Sequence, residues 1–347
     1  MRGTRSGIVA AGLVATLLLT IVAGCSSSKQ SDAGPPSLGG LEIPLKIGRS
    51  KSDLRATIET TIGGIDQTLL FDTGSAGLTV LSTAVPPSVS TMTGAPFQGE
   101  FAGGVVLNGI VIAVPVEVGG NATVGSISIQ LVQSATCASS APSCAAKDGM
   151  SAFGRSIGAD GIFGAGLWSS GSVFSPLLQL ASGVPSSIAV TWRGTEGIVS
   201  LDPTLNGSPI ATAPMSLGSP ATQPNGMSAW NNLSVSICWQ IDDAQQTCAP
   251  TALDTGASAM SFPIGFPGGP ATDVKEFAKG QSIGASTSLG EAPFLEFSTG
   301  RSLGSNLVTV IPGQSAVNTG LQIFGRFIVE FSLTGGAVSF VPIDDLR

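Results

Sequence analysis

The sequence predicts an all-β protein built from two related lobes that face each other across a pseudo-two-fold axis. Three observations carry that expectation. In 347 residues only 11% are charged, 47 are Gly and 22 are Pro, while Val, Ile, Thr and Ser gather in short runs; this is the composition of strands punctuated by turns. The chain also repeats itself, since LLFDTGSAGLTV at 69–80 is echoed by TALDTGASAMSF at 251–262. After each copy comes an Ile-Phe-Gly, at Ile162-Phe163-Gly164 and at Ile323-Phe324-Gly325. A single Asp-Thr-Gly in a Gly- and Thr-rich chain can be a mere turn. Two, each behind apolar residues and each followed by the same tripeptide, imply a duplicated unit with a site where the halves meet.

The elements follow in order. Arg2 and Arg5 precede an apolar run from Ile8 to Ile21 and then Val22-Ala23-Gly24-Cys25. A short positive region, an apolar stretch short for a membrane span and small residues before a Cys make an export signal that resembles a bacterial lipoprotein signal peptide. Residues 1–24 are therefore read as that signal, with Cys25 as the lipidated first mature residue and a membrane partner through its lipid. Ser, Gly and Pro dominate 25–40, which reads as a flexible tether. The domain is thus expected on the extracytoplasmic face of the cell membrane or in the envelope. So short a spacer leaves no room for a long basic pro-segment, and no zymogen cleavage is expected.

The first lobe is placed at 41–205 and the second at 206–347, in one monomer. Leu54 to Ile62 and Gln67 to Phe71 read as strands about the turn Gly63-Gly64. Val105 to Val118 is apolar but broken by Asn108-Gly109, a hairpin dipeptide, and Ser126 to Val132 alternates like a half-buried strand. Short helices are expected at Phe174 to Ala181 and Asp273 to Lys279. Four cysteines remain beyond Cys25, and outside the cytoplasm an even number favours disulfides. Pairing does not follow from sequence alone, but the close spacings favour Cys137–Cys144 and Cys238–Cys248, the second stapling a hairpin.

The chemistry is bounded by two zeros, since the chain has no His and no Tyr. Ser-His and Cys-His pairs, His-ligated zinc and an imidazole base are excluded. A net charge of −7 without a basic cluster speaks against nucleic acid. No cofactor and no metal are expected. Proton transfer then falls to carboxylates or to a Ser-Lys arrangement, and the duplicated Asp72 and Asp254 are the candidates. Two carboxyls about 3 Å apart cannot both ionise cheaply, so they share a proton and titrate as a pair. The ionised member can take a proton from water while the protonated one polarises an amide carbonyl. Gly74 and Gly256 let backbone N–H groups approach those carboxylates.

At these residues the chain resembles the pepsin-like aspartic proteases, from about Leu54 to Pro342. LRATIETTIGGIDQTLLFDTGSAGLTV is similar to the family's first strands and catalytic loop, LNGIVIAVPVEVGG at 107–120 to the hairpin behind its flap, and ADGIFGAGL at 159–167 to its Asp-Gly-Ile segment. EGIVSLDP at 196–203 is similar to the strand closing the first lobe, and LQIFGRFIVEFSLTGGAVSFVPI at 321–343 to the closing run of the fold. Mycobacterial surface proteins carry domains that this one resembles.

The resemblance implies an aspartic endopeptidase acting on peptide bonds of exported or surface proteins, with Asp72 and Asp254 catalytic. Thr73 and Thr255 would cross-bond beneath them, Ser75 would bond the outer oxygen of Asp72, and both Ile-Phe-Gly tripeptides would support the catalytic loops. The alternative is a catalytically weak or inactive lipoprotein of the same fold that binds extended peptides. Three departures from the family's pattern motivate that alternative or qualify the chemistry. Ala257 stands where a Ser or Thr usually follows the second Asp-Thr-Gly, which removes a hydrogen bond to Asp254 and predicts activity reaching to higher pH. The flap tyrosine is missing, leaving Phe97 or Phe101 to cover the cleft. Arg326 replaces a common acidic residue and reads as an ion-pair partner, while Asp160 reads as structural.

Overall fold

The computed structural model describes residues 34–49, 53–101, 103–270, 275–301 and 306–343. Residues 1–24, read above as an export signal, and Cys25 lie outside these. The chain expected to be a tether up to Gly40 is packed from Leu38, which is buried with Ala189, Ile328 and Val341. The Leu38 and Gly39 N–H groups donate to Glu42 Oε1 and hold that entry in place.

Strands dominate, as alternation of buried and exposed residues along Leu54–Ile62 illustrates. Among the described residues thirteen strands form one continuous sheet. At its centre Leu41–Arg49 pairs with both Glu196–Leu201 and Leu54–Ile62. From there the sheet runs through Ile65–Asp72, Gly161–Ala165 and Ala76–Leu81 to the long strands Asn121–Cys137 and Val105–Val118. On the other side Ser187–Arg193 pairs with Phe327–Ser332, which pairs with Ala337–Pro342. The last strands of the chain therefore complete a sheet begun by the first, and the halves are interleaved rather than simply consecutive. A seven-stranded sheet, with Val235–Ile241 and Thr247–Ala252 near its middle, makes the body of the second half.

Several expectations meet their physical explanation here. Gly63 and Gly64 have φ of 58° and 85° and close the two-residue hairpin between Ile62 and Ile65. Asn108-Gly109 is not a turn. Val105–Val118 runs through it as one strand with a bulge against Asn121–Cys137. Gly109 is there because any Cβ would strike the Leu131 carbonyl oxygen and the Phe97 ring. The helix expected at 174–181 is only a 3-10 turn at Pro176–Leu178, followed by an isolated bridge at Leu180. Residues 275–279 form no helix, and 273–274 lie outside the described residues.

The longest described helix is instead Met150–Ile157. It buries Phe153 and Ile157, four apart on one face, and ends at Gly158 in the left-handed conformation. Gly154 obscured it in the sequence, and that glycine is needed because a Cβ would come within 2.9 Å of Leu81. Both disulfides form in the pairing the spacings favoured, Cys137–Cys144 and Cys238–Cys248. Cys238 and Cys248 face each other across the hairpin of Val235–Ile241 and Thr247–Ala252.

Candidate active site

Each candidate carboxylate sits where a strand ends and the chain turns back sharply. Ile65–Asp72 runs parallel to Gly161–Ala165, with Leu70 opposite Ile162, Phe71 opposite Phe163 and Asp72 opposite Gly164. Ala76–Leu81 then returns antiparallel on the far side of Gly161–Ala165. The first Ile-Phe-Gly thus supports the first loop from behind, and Phe71 stacks on Phe163 with ring centroids 5.8 Å apart.

The second loop is built the same way, but its support is not the second Ile-Phe-Gly. Thr247–Ala252 runs parallel to Val317–Asn318, with Ala252 opposite Asn318. Leu70 and Ala252 each lie two residues before their Asp, so Asn318 holds the place that Ile162 holds in the first half. Ile323-Phe324-Gly325 forms a 3-10 turn against the central sheet. There Gly325 lies flat on the Trp192 ring, where a Cβ would come within 2.5 Å of Cε2, and the Phe324 carbonyl accepts a bond from Thr191 Oγ1 at 3.2 Å. The tripeptide resembled the first by composition, but the strand register belongs to Asn318-Thr319-Gly320. Its polar residues hid it from a search for apolar support.

Beneath the loops the threonines cross between the halves. Thr73 N donates to Thr255 Oγ1 at 2.9 Å, and Thr255 N donates to Thr73 Oγ1 at 3.0 Å. Each hydroxyl donates onward, Thr73 Oγ1 to the Leu253 carbonyl at 2.7 Å and Thr255 Oγ1 to the Phe71 carbonyl at 2.8 Å. Asn232, fully buried, adds a brace that the sequence did not reveal, donating to the Thr73 carbonyl at 3.0 Å. Arg55 crosses in the other direction. Its Nη1 donates to the Gly256 carbonyl at 2.8 Å while Nε pairs with Asp53 at 2.9 Å, and Ser258 Oγ donates to the same Asp53 at 2.7 Å.

These bonds bring Asp72 and Asp254 within hydrogen-bonding reach of each other. A Cβ on Gly74 would lie 2.5 Å from Asp254 Oδ1 and 2.8 Å from Asp72 Oδ1, and a Cβ on Gly256 would collide with the Asp72 carboxylate. The glycines are therefore required by the opposite half's carboxyl. Their N–H groups orient their own Asp: Gly74 N donates to Asp72 Oδ1 at 2.7 Å and Gly256 N to Asp254 Oδ1 at 2.8 Å. Burial raises the Asp72 carboxyl well above the usual carboxylate range. The Asp254 charge and their shared hydrogen bond raise it further, against opposing contributions from Ser75 and the Gly74 N–H. The Ser75 hydroxyl, buried beside Asp72, makes no well-aligned hydrogen bond among the described residues.

The donor that Ala257 lacks is supplied from elsewhere, because Asn318 Nδ2 donates to Asp254 Oδ2 at 2.6 Å. A missing bond at Asp254 is thus no longer a reason to expect activity at higher pH. Phe97 and Phe101 are half-buried and pack against the cluster of Leu107, Val132 and Phe153. Arg326 is not an ion-pair residue among the described ones. It donates to Asn306 Oδ1 at 2.5 Å and lies over the Phe297 ring, 4.9 Å from its centroid. Asp160 is structural, accepting from Thr68 N at 3.1 Å. Among the described residues no three of Cys, Asp and Glu gather as a metal site would need.

No family model and no curated protein sequence matches this chain. Solved structures do. The crystal structure of the aspartic proteinase from Irpex lacteus superposes with a TM-score of 0.53 at 14% identity, covering 87% of this chain and 97% of that one. At such identity the likeness speaks of architecture alone, and on that ground the chain has the all-β, bilobal fold of a pepsin-like proteinase.

Proposed function

We propose that the chain is an aspartic endopeptidase that hydrolyses peptide bonds with a water activated between Asp72 and Asp254. The observation that carries this reading is the pairing itself: two carboxyls from opposite halves converge on Gly74, whose Cβ would meet both, above a crossed pair of threonines. Such a pair holds one proton between two oxygens and can deliver acid and base catalysis together, without imidazole. Thr73 and Thr255 fix the spacing, and the Gly74 and Gly256 N–H groups fix the orientation. Both are what a reaction dependent on sub-ångström placement requires.

The substrate is an extended segment of an exported or surface protein, bound between the lobes as an added strand. The domain works as a monomer at the extracytoplasmic face, tethered by the lipid on Cys25. Digestion of a proteome-derived peptide library across pH 3–7 tests the assignment. Wild type should give a defined cleavage pattern, and Asp72→Asn and Asp254→Asn should each lower kcat/KM by about 10²- to 10⁴-fold. The same pattern from wild type and both variants, or none from wild type at any pH, would reject it.

A further inference from the structure

The two carboxyls are held by different neighbours. Asp72 accepts the Gly74 N–H and has the Ser75 hydroxyl beside it, while behind it the strand register places Ile162, which has nothing to donate. Asp254 accepts the Gly256 N–H on Oδ1 and the Asn318 amide on Oδ2. The orientation of that amide is fixed by its other end, because Asn318 Oδ1 accepts the Gly320 N–H at 2.8 Å and so must turn its NH₂ toward Asp254. A side-chain amide nitrogen can only donate, so it favours a carboxylate over a carboxylic acid. The charged groups around Asp254 are Asp72 across the pair and, behind Gly256, Arg55 with its partner Asp53. Two asymmetries therefore mark the duplicated site: Ser75 in the first loop is Ala257 in the second, and the register position that holds Ile162 in the first half holds Asn318 in the second.

We propose that Asn318 is a positioning residue that divides the roles of the pair, holding Asp254 as the anion and leaving the shared proton on Asp72. This rests on reading the pair as the centre of peptide hydrolysis. In that division Asp254 takes a proton from water as the water oxygen bonds to the carbonyl carbon, and the Asp72 proton passes to the carbonyl oxygen as the C=O π bond opens. Asp254 then gives its proton to the leaving nitrogen as the C–N bond breaks. Asp72 recovers one from a hydroxyl of the tetrahedral intermediate, so that only amide and water are consumed. The polar tripeptide Asn318-Thr319-Gly320, which departs from the apolar support of the first half, also compensates for the missing hydroxyl at Ala257.

The test uses the full chain with ¹³C-labelled aspartate carboxyls, assigned with Asp72→Asn and Asp254→Asn, alongside kcat/KM against pH on a cleaved peptide. In Asn318→Ala and in the bulkier Asn318→Leu, the first ionisation of the pair should rise by about one to two pH units, as loss of a hydrogen bond to a charged group predicts. The acid limb of kcat/KM should rise with it, and kcat should fall more than KM changes. Adding Ala257→Ser to Asn318→Ala should move both back toward wild type. A titration unchanged from wild type in a variant with native near-UV circular dichroism overturns the division of roles. A shifted titration in a protein that cleaves no peptide supports it while rejecting the proposed reaction. Cleavage that needs Asp72 but shows no shift does the opposite.

Discussion

Burial, more than the charge of Asp254, raises the Asp72 carboxyl, and this has two consequences for pH. Catalysis on the basic side ends when the pair loses its last proton, so the base limb of kcat/KM should lie well above the ordinary carboxylate range. A profile confined below about pH 4 would contradict this. This is the higher-pH activity that the sequence attributed to Ala257, now resting on the burial of Asp72 instead. The second consequence concerns stability. The folded chain holds the Asp72 proton more tightly than the unfolded chain does. Folding is therefore favoured below the ordinary aspartate range, and that contribution is lost as pH rises through the raised folded value. Asp72→Asn, which cannot ionise, should raise the melting temperature near neutral pH and leave it unchanged around pH 3. Equal shifts at both pH values would show that Asp72 is not titrating as described.

At the scale of elements, the crossed threonines join the strand ends of the two halves, and their hydrogen bonds are fully buried. Thr255→Val keeps the shape but leaves the Thr73 N–H and the Phe71 carbonyl without their partner. Each such buried group costs about 1–3 kcal/mol, to be read from urea unfolding. Cleavage should fall together with stability, since the same bonds set the distance between the carboxylates. Much of this element was legible in the sequence: both Asp-Thr-Gly loops, Ile162-Phe163-Gly164 behind the first loop and, through the family resemblance alone, the crossing of Thr73 and Thr255. What escaped it was the second support. Ile323-Phe324-Gly325 matched by residue type, whereas Asn318 is defined by strand register, which depends on a pairing partner far away in the chain. Asn232 escaped for a similar reason, since a buried Asn looks like a turn residue until the carbonyls it must satisfy are known. The Asn108-Gly109 bulge and the Met150–Ile157 helix were missed because glycines chosen for close approach read as turn signals.

For the whole molecule, the interleaving of the chain is what turns two lobes into one site. Phe327–Ser332 and Ala337–Pro342 join the sheet begun by Leu41–Arg49, so the lobes cannot move apart without breaking continuous strand pairing. Phe340 is a test of that joint, being fully buried with its ring centroid 4.7 Å from Phe294 and 5.9 Å from Phe327. Phe340→Ala should cost about 3–5 kcal/mol, with both lobes still unfolding in a single transition. Two transitions would show that the central sheet does not couple them. The sequence anticipated two related lobes but assigned the last strands to the second, because a linear repeat does not reveal which sheet a closing strand will join.

The central claim is that Asp72 and Asp254 hold one proton in common, and a potentiometric difference titration tests it most directly. Proton uptake by the wild type is compared with that of the Asp72→Asn/Asp254→Asn double variant. The structure predicts that one proton is retained well above the ordinary aspartate range. Release of both protons together within that ordinary range would mean that the carboxyls titrate as strangers, and the catalytic pair would not exist.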